Sequence, residues 1–378
     1  MSASPGKIRS LQALRGVAVL MVVLTHIAAP FGTETHYLHG QRIVGWLQYP
    51  TQGGVDLFFV ISGVIITVTT WRTFGAPGSV RRFAYRRVTR IYPLYLLVTA
   101  AVLIVWLHRH DLVNSHSPYP TRVLQSFLIL PQRGDPLVAT GWTLVYELYF
   151  YLVFGLALLL PRRRLGWVMA AWLAIAALIH FAFTPTSNAW LAMLGNLVVI
   201  EFVFGVAIGW LVMRGVMVAP RALAAIGVAG VAGGVAALAA RGSAAFPSIW
   251  FEVFVTGLAM TAIVYAAIGL EVRFGARSPR SLVFVGDASY SVYLIHVAVL
   301  GLIGLGLEHV VGRSLPVHAL ALVVLAAAGV AAGLLLYRLV EEPLLRAFHT
   351  RLFNTPLAAP REPQPQAQGW RPDPEAAI

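Results

Sequence analysis

The chain alternates long apolar runs with short connectors rich in arginine, glycine and proline. A bilayer-crossing α-helix takes about 20 mostly apolar residues. Ten runs fall in that range: 11–29, 54–71, 91–107, 142–160, 165–183, 190–213, 221–240, 249–270, 289–307 and 317–340. A further apolar stretch, 123–131, is too short to span and reads as a re-entrant or interfacial piece. The pattern predicts an all-α polytopic membrane protein with about ten transmembrane helices, its membrane domain covering residues 1–350. Residues 355–378 hold six prolines and few apolar side chains, so 351–378 reads as a disordered cytoplasmic tail. The first 30 residues have some features of a signal peptide, but Arg15 interrupts the apolar stretch and nine more spans follow. No internal repeat of the kind many transporters carry is visible.

Composition agrees with the pattern. Apolar residues make up 58% of the 378 and charged residues only 11%, against roughly 25% charged in soluble proteins. So few charges could not cover the surface of a chain this long in water, which excludes an ordinary soluble enzyme, a disordered protein and a nucleic-acid binder. Cysteine is absent, which removes disulfides, thiolate nucleophiles and cysteine-bound metal. The net charge of +13 is explained by where the charges sit. With the N-terminus inside, the inner segments carry Lys7 and Arg9, six arginines in 72–90, three in 162–164, two in 214–221, three in 273–280 and five from Arg338 onward, 21 in all. The outer segments carry six: Arg42, Arg109, Arg122, Arg133, Arg241 and Arg313. The positive-inside rule then predicts that both termini are cytoplasmic, in a cell (inner) membrane.

Ionisable groups inside a bilayer are costly and therefore functional candidates. The spans hold Arg15, His26, Asp56, Glu147, Glu201, Glu252 and His296. Arg15 and His26 are 11 residues apart, three helical turns plus about 20°, so they share a face with roughly 16 Å between them along the axis. His26, Asp56, Glu147 and Glu252 fall at similar outer depths. A histidine among carboxylates suits general-base chemistry, the carboxylate (Asp56 or Glu147) orienting the ring. Asp56 reads equally well as a helix cap. For Glu201, Glu252 and His296, mutual satisfaction inside the bundle is the plainer reading. At the inner end, the run Arg81-Arg82-Phe83-Ala84-Tyr85-Arg86-Arg87-Val88-Thr89-Arg90 pairs Arg87 with Arg90 and Arg82 with Arg86 on helical faces. Guanidinium forks at that spacing suit a phosphate or pyrophosphate; the alternative is the topology signal plus contact with lipid phosphates. The loop histidines His36, His39, His108, His110 and His116 read as polar loop residues rather than metal ligands, and no metal is expected. Trp46, Tyr49, Tyr119 and Trp142 suit either an interfacial belt or sugar stacking.

These residues lie in an ordered set of strings: Ile8-Arg9-Ser10-Leu11-Gln12-Ala13-Leu14-Arg15-Gly16, with Arg-x10-His on Arg15 and His26; Gly54-Val55-Asp56-Leu57-Phe58-Phe59-Val60-Ile61-Ser62-Gly63; Arg-x-x-Arg on Arg87 and Arg90; Trp142-Thr143-Leu144-Val145-Tyr146-Glu147; Ser289-Tyr290-Ser291-Val292-Tyr293-Leu294-Ile295-His296; and Glu341-Glu342-Pro343. Together, over about residues 8–347, the chain resembles the acyltransferase-3 family of integral membrane acyltransferases, in its stand-alone form. The resemblance implies a catalytic role for His26 and acyl-CoA use by Arg15, Arg87 and Arg90, with Glu147 carried over as a further site residue. It implies an O-acyltransferase moving an acetyl or other short acyl group from cytoplasmic acetyl-CoA (or another acyl-CoA) to a hydroxyl of an extracytoplasmic carbohydrate or glycolipid, either directly or through an acyl-His26 intermediate. The rival class is a proton-coupled secondary transporter or exporter, which buried carboxylates and histidines would also suit.

Overall fold

The computed structural model describes residues 8–353 apart from 31, 39–42, 115–116, 242–247, 310 and 312–313, and leaves out the side chains of 349–353. The expected proline-rich tail from 354 onward, Lys7, His39, Arg42, His116 and Arg313 lie outside the described residues. The main helices are α1 (Arg9–Ala28), α2 (Gly54–Thr70), α3 (Ser79–His108), α4 (Gly141–Ala157), α5 (Leu165–Phe183), α6 (Val199–Met213), α7 (Pro220–Arg241), α8 (Leu258–Phe274), α9 (Arg280–Asp287), α10 (Ser289–Glu308) and α11 (Leu315–Leu336). Short turns extend several of them, and nine helical stretches among the described residues are long and apolar enough to cross a membrane. The tenth expected span is α4, whose 17 residues cover about 26 Å, slightly less than a hydrocarbon core of about 30 Å.

The observed elements differ from the predicted spans in two places. The third span starts at Ser79, because arginines are good helix formers and the basic run is the opening of α3 itself. At 30 residues α3 is about 45 Å long and outreaches the hydrocarbon core. The span expected over 190–213 is broken between Leu194 and Val199: the Asn196 side chain takes the Val198 backbone N–H (2.9 Å) and donates to the Tyr146 hydroxyl (3.0 Å). The apolar stretch near 123–131 is a short helix, Val123–Leu128, that descends beside α3. Tyr92 and Tyr95 donate to the carbonyls of Leu128 and Ser126 at 3.2 and 2.7 Å. Tyr95 lies 13 residues before the end of α3, which puts this loop about 20 Å down the helix and makes it re-entrant.

α1 is the axis of the bundle, in contact with α2, α8, α9, α10 and α11. Lipid gives apolar side chains no incentive to meet, so helix approach in membranes depends on small residues that bring backbones together. Two crossings depend on this. Where α2 meets α6, a Cβ on Gly63 would lie 2.3 Å from the Phe202 carbonyl oxygen, and one on Gly205 would lie 2.0 Å from that of Val60. Where α1 meets α9, a Cβ on Gly16 would lie 2.4 Å from the Leu282 carbonyl oxygen. The second crossing sits one residue from Arg15 and fixes its height. Around this core, α5, α7 and α11 turn large apolar side chains outward, among them Trp167, Leu178, Phe181, Ile226, Val228, Leu320 and Leu335. Apolar surface on that scale belongs against lipid, and the protein is a membrane protein.

Gly205→Val should destabilise the bundle by about 1–3 kcal/mol through overpacking, read as a lower melting temperature by tryptophan fluorescence in detergent. Gly233→Ala, where an added methyl meets nothing within 4 Å, should not lower it. Equal melting of Gly205→Val and wild type would contradict the packing account.

Candidate active site

α1, α2, α3, α4 and α10 line a cavity of about 230 Å³ that is partly open to its surroundings. Arg15, Arg87, Arg90 and Glu147 line it, with Ser62, Thr143, Tyr151, Ser289, Tyr290 and Tyr293. Three guanidinium groups thus face one carboxylate. Among the described residues none of the three makes an ion pair. Arg15 donates to the Ser289 hydroxyl at 2.9 Å. The Arg87 guanidinium lies 5.5 and 5.4 Å from the ring centres of Phe83 and Tyr151. Glu147 accepts a short hydrogen bond from Tyr151, one turn further along α4.

The basic run of α3 divides by face. Arg81, Arg82 and Arg86 are exposed, whereas Arg87 and Arg90 are half-buried and turn into the cavity. The exposed three fit a topology signal. The inner two surround a space that attracts an anion, since burying a guanidinium without a partner is costly. About one turn past Arg90, Pro93 lies inside α3, and close to it Tyr290 of α10 donates to the Ile91 carbonyl at 2.8 Å. This contact ties α3 to α10 beside Arg90.

The opposite end of α1 carries His26. Its Nδ1 lies 2.9 Å from the Val22 carbonyl oxygen. A carbonyl only accepts, so this nitrogen carries the proton and Nε2 holds the lone pair. The same Nδ1–H reaches His296 Nε2 at 3.3 Å, with the rings edge-on and their centres 4.8 Å apart. His296 is fully buried. Its own Nδ1 lies 3.1 and 2.9 Å from the carbonyls of Val292 and Tyr293, which leaves His296 Nε2 as the acceptor. One histidine therefore fixes the tautomer and orientation of the other, as a carboxylate does in a catalytic triad.

The expected carboxylate partners of His26 lie elsewhere. Asp56 is buried beside Glu201, with Glu252 nearby, and it caps nothing, since Gly53 is the N-cap of α2 and no side chain accepts there. Glu201 is fully buried, and its carboxyl group lies against that of Asp56. Glu147 belongs to the arginine cavity. The sequence ranked His296 as a core histidine because its partner is 270 residues away; the signal that could have raised it is its place in the Ser289–His296 string. The lining of the arginine cavity ends at Val55, Phe58 and Tyr293, and His26 is not part of it. Tyr293 stands between the two poles. Its ring centre is 5.9 Å from that of Phe58 and 6.0 Å from that of His296, and its hydroxyl pairs with that of Thr143 at 2.7 Å.

A family model described as an acyltransferase domain matches residues 8–338, nearly all of the membrane region. The chain belongs to the acyltransferase-3 family. It is also 31% identical over 317 residues to the exopolysaccharide production protein ExoZ of Rhizobium meliloti (strain 1021), a match covering 81% of this chain and 93% of that one. No solved structure matches. Within this acyltransferase, the strings that carry the family resemblance converge on two places. Arg15, Arg87, Arg90, Glu147 and Ser289 line one cavity, and His26 and His296 form one pair. Glu341, from the last string, accepts from Ser291 at 2.5 Å behind the cavity wall.

Solid-state 15N NMR of histidine-labelled protein at neutral pH should find His26 and His296 both protonated at Nδ1 and bare at Nε2, with His296→Asn perturbing the His26 signals. A proton on His26 Nε2 would contradict the assignment.

Proposed function

We propose that the protein is an acyl-CoA-dependent O-acyltransferase that moves an acetyl or other short acyl group from the cytoplasm to a hydroxyl of a saccharide on the far side of the membrane. The observation that carries this reading is the cavity with three guanidinium groups and one carboxylate. A compact, multiply charged anion satisfies it, and the phosphates of coenzyme A are such an anion. The excess of basic residues at the Arg81–Arg90 end supports a cytoplasmic location for that end and for both termini. The polysaccharide acceptor is suggested by the name of the Rhizobium relative, an exopolysaccharide production protein.

In this reading Arg87 and Arg90 hold the donor's phosphates. Arg15, held by Ser289, receives the pantetheine arm as it runs along the apolar wall of Ile61, Ile65 and Ile66. The thioester reaches His26 when the Tyr293–Phe58 layer yields. His26 Nε2 takes the proton of the acceptor hydroxyl as its oxygen attacks the thioester carbonyl. The tetrahedral intermediate expels the coenzyme A thiolate, and the proton on His26 returns to that sulfur. While His26 is an imidazolium, the lone pair of His296 Nε2 and the Val22 carbonyl accept from its Nδ1–H. His296 thus takes the orienting part that sequence reasoning gave to Asp56 or Glu147. Glu147, bonded to Tyr151 opposite Arg87, sets the charge balance of the donor site.

The carboxyl groups of buried Asp56 and Glu201, with half-buried Glu252 nearby, favour proton-coupled transport. Purified protein given radiolabelled acetyl-CoA and candidate glycans separates the readings: label on a glycan supports acyl transfer, and transport of substrate into vesicles without acylation supports the alternative. In this assay His26→Ala should lower transfer by about 10²–10⁴-fold, the usual contribution of a general base. His296→Ala should lower kcat by about 10–100-fold, equivalent to a lost hydrogen bond to a charged group, with acetyl-CoA affinity unchanged. Arg87→Ala should weaken acetyl-CoA binding by a similar factor, and the exposed Arg82→Ala should leave it unchanged. Full activity in folded His26→Ala, or equal weakening by Arg82→Ala and Arg87→Ala, would remove the corresponding assignment.

A further inference from the structure

A second cavity, of about 300 Å³, opens on the other face of α4. The first turns of α4 serve both cavities: Thr143 and Glu147 face the arginine cavity, and Trp142 and Tyr146 face this one. Its remaining walls come from the loop Tyr119–Pro136 and from the segment Thr186–Met193. A belt aromatic faces lipid from a convex surface. Here Trp142 and Tyr146, with ring centres 6.0 Å apart and nearly perpendicular, line a concave space together with Gln132, Arg133, Thr186 and Ser187. Stackable ring faces among hydroxyl and amide groups are what a sugar ring requires, with its apolar C–H faces and polar rim.

The polar groups are held in place. Asn196 donates to the Tyr146 hydroxyl at 3.0 Å, which leaves the Tyr146 O–H to donate into the cavity. Gln132 Oε1 is buried without a hydrogen-bond partner. Asn114 braces the loop by donating to the carbonyls of Asp135 and Pro136 at 3.1 and 2.9 Å. Arg133 lies flat over Tyr119, its guanidinium carbon 4.5 Å from the ring centre, and donates to the Tyr119 hydroxyl at 3.0 Å. No carboxylate lines the cavity, so this cation is oriented but not neutralised.

We infer that this cavity is a saccharide subsite selective for a sugar unit that bears a carboxylate, with Arg133 pairing the acid and Trp142 stacking on the ring. It holds a unit neighbouring the one acylated. From the inner wall of α4, Thr143 contacts Tyr293, and Tyr293 lies against His296, so a chain seated here runs alongside the transfer site rather than in it. The inference rests on the saccharide-acceptor reading and adds the recognition of an acidic unit.

The test is calorimetric titration of the full-length protein in phosphatidylcholine nanodiscs with tetragalacturonate and with maltotetraose. Tetragalacturonate should bind at least ~10-fold tighter. Arg133→Gln, at an exposed position, should reduce it to the maltotetraose level, and Trp142→Ala should weaken both. Equal affinity for the two oligosaccharides, or an unchanged preference in Arg133→Gln, overturns the inference. So does abolition of tetragalacturonate binding by phosphatidylglycerol in the nanodisc, which would make the cavity a lipid-headgroup site. Wild-type transfer from radiolabelled acetyl-CoA, measured in parallel, separates this inference from the reading beneath it. Transfer without tetragalacturonate binding removes the subsite alone. Binding without transfer to any glycan removes the acyltransferase reading and leaves the subsite.

Discussion

Three arginines inside a membrane-spanning bundle, with one carboxylate among them, are a charge imbalance that apolar packing alone would not sustain. Each guanidinium taken out of water and left without a counter-ion costs several kcal/mol. The surroundings lower that cost only in part: a serine accepts from Arg15, whose charge also feels the carboxylates of Glu341 and Glu147, and two aromatic rings lie near Arg87. The remainder is a standing attraction for an anion. The glycine crossings at Gly16 and Gly205 and the Tyr290–Ile91 bond serve this arrangement, because they set the height and rotation of the helices that present the arginines.

The second pole follows a different logic. His26 sits at the far end of the same helix and takes its tautomer from backbone carbonyls and a second histidine rather than from a carboxylate. A neutral partner suits a base inside a bilayer, since it adds no further buried charge. Between the poles lies one aromatic layer, Phe58 and Tyr293, with the Tyr293 hydroxyl held by Thr143. Phe58 and Tyr293 belong to α2 and α10, which also line the arginine cavity, so a ligand entering that cavity meets the layer directly.

Much of this was legible in the sequence, and the misses share causes. Long apolar runs gave most spans, and the separation of Arg15 and His26 along α1 followed from helical rise alone. Hydropathy could not see that α3 begins at Ser79, because an arginine-rich helix is not apolar, nor that Asn196 interrupts the sixth run, because one amide scarcely alters a window average. α9 went unseen because it is short and flanked by charge. The arginine spacing correctly put Arg87 and Arg90 on one face, but only the packed bundle separates them from the exposed Arg81, Arg82 and Arg86. The partners of His26, Asp56 and Glu147 were the hardest to foresee. Similar depth is a weak constraint: Asp56 lies at a depth compatible with His26 yet meets Glu201, because rotation about each helix axis is set by tertiary contacts that one sequence does not reveal.

The central claim is that donor and acceptor meet from opposite sides of the membrane, with the anion held at the arginine pole and the proton accepted at the histidine pole. The most direct test uses proteoliposomes in which the protein has one known orientation. Radiolabelled acetyl-CoA is confined to the side carrying Arg81–Arg90, and the acceptor glycan to the side carrying His26. The account predicts label on the glycan with this arrangement and none when the two compartments are exchanged. Transfer that requires donor and acceptor together on the His26 side would contradict it.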